Sequence, residues 1–204
     1  MRLTYTVPLV SLVMTGAALA GCGASSHPAT SPPSTVAPAT SAPTQAESNP
    51  AGDIPDNQVY VAYRYDHGGF TVKVPEGWSR TQTANGDVSF TDKLNRIELS
   101  GAHATTAPTP QSVDAAVVPS LRAHVHGFTL GHVSTVSRAA GPAVLLTYQG
   151  DGPVDPVTGK AAHDSFERYV FFKDGREAVL TLSGPTGADN VDPWRTVTDS
   201  LRWQ

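Results

Sequence analysis

Phe70-Thr71-Val72-Lys73-Val74-Pro75-Glu76-Gly77-Trp78 decides how the folded part of this chain is read. Phe70, Val72 and Val74 alternate with Thr71 and Lys73, the period-two pattern of a strand. Pro75-Glu76-Gly77 then makes a tight turn, because proline pre-sets φ and glycine accepts positive φ, and it delivers Trp78. Such a strand needs partners, and the sequence on both sides supplies them.

Upstream, the aromatic and β-branched run Val59–Tyr65 reads as a strand turned by His67-Gly68-Gly69. In a straight strand Tyr63 and Tyr65 share a face and Tyr60 opposes them. Downstream, Asn85-Gly86 is a strong hairpin signal that joins Ser79–Ala84 to Asp87–Thr91. Arg96-Ile97-Glu98-Leu99 alternates as a further strand. Thr105 to Pro110 is a loop, with Thr109 as helix N-cap and Pro110 at the first helical position. Val113, Val117, Leu121 and Val125 form one apolar helical stripe. Pro119 kinks or restarts it, since proline lacks the amide donor and clashes with the preceding turn, and Gly127 ends it.

Strands resume at Phe128–Val136, and Gly141-Pro142 turns the chain into a buried strand, Ala143–Tyr148. Asp151 to Asp164, with Gly152, Pro153, Pro156 and Gly159, reads as a long loop. Phe166–Lys173 and Arg176–Ser183 form a hairpin across Asp174-Gly175. A last helix spans about Val191 to Arg202 on the stripe Trp194, Val197, Thr198 and Leu201, and Trp203 packs on the sheet.

This inventory is α+β: an antiparallel β-sheet of about six to eight strands, with a mid-chain helix and a C-terminal helix packed on it. The strand followed by Pro75-Glu76-Gly77-Trp78, then hairpins, a mid-chain helix, more hairpins and a C-terminal helix, resembles the PsbP-like fold. It also resembles actinobacterial lipoproteins of the LpqN type, over Tyr63 to the C-terminus. That resemblance implies a domain at 57–204 that is mostly non-enzymatic, and it carries no catalytic set to place on this chain.

The N-terminus agrees with the second resemblance. Met1-Arg2 is a small basic region and Val7 to Ala20 is a short apolar run. At about 14 residues it is too short for a hydrocarbon core that needs about 20, and it has the length of a signal-peptide core. Leu19-Ala20-Gly21-Cys22 fits a bacterial lipobox at every position, and Cys22 is the only cysteine of the chain. The lipobox implies that residues 1–21 are a removed signal peptide and that Cys22 becomes a diacylglyceryl thioether. Two chains hold firmly where one binds marginally. Residues 22–56 are rich in Ser, Thr, Ala and Pro, with no aromatic residue. They cannot bury enough apolar area to offset the entropy of ordering and read as a disordered tether, extending to roughly 100 Å in polyproline form. The composition also suits O-glycosylation.

The 204 residues carry 14 Lys+Arg and 18 Asp+Glu. Without Arg2 the mature balance is 13 against 18, and neither sign dominates. That excludes a basic footprint for nucleic acid. No motif implies a cofactor. His124-x-His126 lies two residues apart on a helix, where side chains share no face. Asp151, Asp155 and Asp164 lack the Asp-x-Asp-x-Asp-Gly spacing of a calcium loop. Gly152 to Lys160 is two residues too long for a phosphate loop, with Ala161 where Ser or Thr should stand. Glu167 and Glu177, on adjacent strands, are the one candidate for paired carboxylates; with Arg168 and Arg176 beside them they read as solvated charges.

These readings predict a lipid-anchored protein on the extracytoplasmic face of the cell membrane, reached through Cys22. It is a non-catalytic binding module for an envelope protein or an apolar or lipid ligand. An envelope hydrolase or metal-dependent enzyme with a site hidden in the sequence is the alternative. Asp151, Asp155, Lys160 and His163, on the long loop, are the candidate recognition residues, as loops on rigid scaffolds often carry binding.

Overall fold

The structure is a computed structural model and describes residues 51–154 and 159–204. Cys22 with Leu19, Ala20 and Gly21, and Asp155 of the candidate loop, lie outside the described residues.

The elements run β1 (Tyr60–Tyr65), β2 (Phe70–Pro75), β3 (Ser79–Gln82), β4 (Val88–Asp92), β5 (Asn95–His103), α1 (Pro110–Ala116), α2 (Val118–His124), β6 (Thr129–Arg138), β7 (Gly141–Val154), β8 (Ala161–Lys173), β9 (Arg176–Pro185), α3 (Val191–Asp199) and β10 (Arg202–Trp203). The expected α+β class is found, with the described strands divided between two antiparallel sheets. One has the order β1-β2-β10 and the other β3-β4-β5-β9-β8-β7-β6. Among the described residues no helix is long and apolar enough to cross a membrane.

The Phe70–Trp78 stretch sits where its pattern demands. Phe70, Val72 and Val74 are at most 3% exposed, β2 is the middle strand of the small sheet, and Gly77 takes φ +84° in the turn that follows. These side chains meet Ile97, Leu99, Tyr169, Phe171, Leu180 and Leu182 from one face of the large sheet, Trp194 and Val197 from α3, and Leu201 just after it. The other face carries a second core: Val144, Leu146, Tyr148, Val170 and Val179 under Val113 of α1 and Val118 of α2. Central strands buried on both faces become continuous apolar runs, as in Ala143-Val144-Leu145-Leu146. All three tyrosines of β1, Tyr60 included, pack against the first core, so the strand twists rather than presenting Tyr60 away from it.

Local signals explain the joints. Thr109 and Ser112 form a reciprocal cap, with Ser112 N–H donating to Thr109 Oγ1 at 3.1 Å and Thr109 N–H to Ser112 Oγ at 2.9 Å. The break comes at Val117, and Pro119 stands in the first turn of the new helix. Asp174 and Gly175 take φ +50° and +76°, a two-residue type I′ hairpin.

Three expectations are corrected. Asp151 to Asp164 is mostly strand rather than loop: β7 and β8 continue past a bulge, pairing Asp151 with His163 and Val154 with Ala161. Glycine and proline are tolerated at the irregular outer end of a ladder. The last helix stops at Asp199, and Arg202 and Trp203 pair with Thr71 and Phe70. The end of the tether belongs to the domain. Ile54 is 5% exposed in the first core, and its N–H donates to Asn190 Oδ1 at 2.8 Å. Asn95 Nδ2 and Asn190 Nδ2 both donate to Gly52 O.

Candidate functional site

Helices α1 and α2 cover only part of their face of the large sheet, and a groove of about 730 Å³ opens along the margin. Its floor is Arg168 and Val170 of β8 with Glu177 and Val179 of β9; its walls are α1 and the lead-in 103–109. Alternation places these four floor residues on one face, since Val170 pairs with Val179, Arg168 with Thr181 and Glu177 with Phe172. The wall contributes Ala104, Ala107, Pro108, Val113, Ala116 and Val117 with the hydroxyls of Thr109 and Ser112. His103, Thr105 and Thr106 also line it, so apolar and polar side chains share the groove, at a volume that admits a small molecule.

Arg168 is the unusual member. Its Nη1 donates to Thr181 Oγ1 at 3.0 Å, while Nε is buried without an acceptor. Burial holds its pKa below the ordinary arginine value, and Tyr148, Glu98, Glu177 and Asp87 pull it back only in part. Among the described residues none of the acids lies within 4 Å of it as an ion pair. Burial also raises the Glu177 carboxyl, against the opposing pull of Arg168. Tyr148, stacked on Phe166 at 4.5 Å between ring centres, is pushed up to about 12 by burial. Tyr148 lines a different pocket, with Thr147, Gln149 and Phe166. Arg168 and Glu177 are the shifted groups at the groove, and shifted groups gathered at a cleft mark functional candidates.

The recognition residues expected on the loop are placed differently. Asp151 and His163 face each other across β7 and β8, and Asp151 is bridged by two imidazoles. His126 Nδ1 lies 2.6 Å from Oδ2 and His163 Nδ1 3.2 Å from Oδ1, contacts that lower the Asp151 pKa. Lys160 instead borders a separate cavity of about 230 Å³ with Lys93, Arg96, Ser183 and Asp164. There Asp164, 3% exposed, is raised to about 6 by burial, and its Oδ1 has no partner. His124 spends Nδ1 on Ser120 O at 2.7 Å. Among the described residues no group of three or more His, Cys, Asp or Glu side chains is arranged to hold a metal ion.

Arg168 and Glu177 are corrected from solvated sheet charges to half-buried groups of the groove. The signal in the sequence was an arginine inside the strand Phe166–Phe172, between positions that have to be buried. Glu167 is on the opposite face, accepting from Tyr169 Oη at 2.7 Å, so the two glutamates do not converge.

No family model matches the chain, and no curated protein is similar to it in sequence. Solved structures are similar in fold. Cyanobacterial PsbP (CyanoP) of Synechocystis is 15% identical, over 75% of this chain and 98% of that one, with a TM-score of 0.51. The Ran-binding protein Mog1p of Saccharomyces cerevisiae is 9% identical, over 72% of this chain and 96% of that one, with a TM-score of 0.50. LpqN of Mycobacterium tuberculosis, involved in cell envelope biogenesis, is 16% identical, over 72% and 91%, with a TM-score of 0.41. The likeness to CyanoP shows that the fold is PsbP-like.

Proposed function

We propose that this chain is a lipid-anchored, non-catalytic binding module of the cell envelope that receives an apolar ligand in the groove between α1 and β8–β9. The observation that carries the reading is the groove itself, about 730 Å³, where alanine, valine and proline share the lining with His103, three threonines, Ser112, Glu177 and Arg168. Mog1p, a Ran-binding protein, shows that a fold of this kind hosts binding, although fold alone never assigns a function. The lipobox at Cys22 supports the anchor.

The test uses the full-length Cys22→Ser chain, which needs no detergent. An environment-sensitive apolar dye should brighten on binding it. Ala116→Trp, at an exposed wall position, should abolish the signal without changing the melting temperature. Equal dye binding by both chains would place the ligand surface elsewhere.

A further inference from the structure

The groove has a polar end that an apolar ligand alone leaves unused. Arg168 is half-buried, lacks an ion pair among the described residues, and has a buried Nε without an acceptor. A desolvated guanidinium in this condition is costly. An anion relieves that cost, and the planar fork matches a carboxylate or a phosphate better than any other head. Ala104, Ala107, Pro108, Ala116 and Val117 supply the open apolar surface beside it, over the buried Val113, Val170 and Val179. Glu177, the carboxylate in the same groove, pairs with Phe172 whereas Arg168 pairs with Thr181. The two backbone positions are therefore separated by about 13 Å of strand, and Glu177, which attracts Arg168 without forming an ion pair with it, is the group an anionic head has to outcompete. A groove of about 730 Å³ suits one chain with its head, not a two-chain lipid.

We propose that the occupant is a single-chain amphiphile with an anionic head, a carboxylate or a phosphate, the head meeting Arg168 and the chain lying against Ala104, Ala107, Pro108, Ala116 and Val117. This rests on the groove being the ligand site. The exposed apolar wall supplies affinity in proportion to the area the ligand covers, and Arg168 supplies orientation and selection of the head.

Titration calorimetry of the full-length Cys22→Ser chain with palmitate, hexadecyl phosphate and hexadecanol, each kept below its aggregation threshold, separates the two contributions. Palmitate or hexadecyl phosphate, or both, should bind about tenfold or more tightly than hexadecanol, the size expected of a charge-assisted pair. Whichever of the two gains more identifies the head. Arg168→Gln should bring the anions down to the affinity of the alcohol and leave the alcohol unchanged, while Arg168→Lys should keep an intermediate preference. Equal binding of all three probes by the native chain, or a preference that survives in a folded Arg168→Gln chain, overturns the assignment of the head while the groove stands. Failure of all three to bind overturns the groove reading itself. Should Arg168→Gln not fold, the native ratio of anion to alcohol decides alone.

Discussion

Glu167 and Glu177 stand on neighbouring antiparallel strands with their carboxylates on opposite faces of the large sheet. One closes a hydrogen-bonded chain, Arg138 Nη2 to Tyr169 Oη at 2.8 Å and Tyr169 Oη to Glu167 at 2.7 Å. The other borders the groove with its pKa raised by burial. Their substitutions should therefore act in opposite directions. Glu167→Gln should cost about 0.5–1.5 kcal/mol by weakening a charge-assisted bond. Glu177→Gln should leave stability at pH 7 unchanged or higher. Thermal melts of both variants check the pair, and two equal losses would contradict it.

Asp164 should leave a signature in the pH dependence of stability. Its folded pKa, about 6, lies above the ordinary aspartate value because of burial. Folding then favours the protonated form, so the contribution of Asp164 to stability is highest below about pH 4, falls as pH rises towards 6, and stays flat above that. Asp164→Asn should flatten this slope and add on the order of 2 kcal/mol at pH 7. Denaturant melts from pH 4 to 8 read both effects. The neighbouring charges His163, Arg96 and Asp151 remain in each chain, so the difference between the chains isolates Asp164.

A side chain at Gly101 has nowhere to go. A Cβ there would stand 2.7 Å from the Gly68 Cα and 3.4 Å from Tyr65 Cε1. The turn after β1 rests directly on β5, backbone against backbone, and cannot yield as a flexible side chain would. Gly101→Ala should cost about 1–3 kcal/mol by overpacking, measured by denaturant unfolding. A neutral result would mean that the turn lifts freely.

The domain should need the residues just before β1. Ile54→Ala removes a core side chain that is 5% exposed and should cost about 2–4 kcal/mol. A fragment that begins at Asn57 should melt well below one that begins at Ala51. Equal midpoints would return Ile54 to the tether.

Cys22→Ala should release the protein from membranes into the medium and abolish labelling by a fatty-acid probe. Equal retention of both chains would remove the anchor from the proposal.

Much of the fold was legible because its signals are local. Phe70–Val74 alternates, Asp174-Gly175 turns within two residues, and Thr109-Pro110 with Pro119 marks the start and the break of the helical stretch. What escaped was non-local. Nothing near Arg202-Trp203 says that this pair lies against Phe70 and Thr71, more than a hundred residues earlier. The outer ends of β7 and β8 carry turn-forming residues, and only cross-strand pairing holds them extended. Ile54 was hidden by the company of prolines and serines, whose composition describes a tether well and one anchoring isoleucine poorly. Alternation puts Arg168 on a face of its sheet, but whether that face is wet depends on how far α1 and α2 extend over it, which no period in the strand encodes.

The asparagine clamp on Gly52 and Ile54 determines how the domain bears mechanical load. Tension applied through the chain upstream of Ala51 is delivered first to Asn95 and Asn190, which grip Gly52 O from two separate elements, and to the Ile54 N–H held by Asn190. The edge strand β1 lies behind that grip and is spared from being peeled off β2 one bond at a time. Residues that contribute a few hydrogen bonds at equilibrium thus act as the strain relief of the molecule.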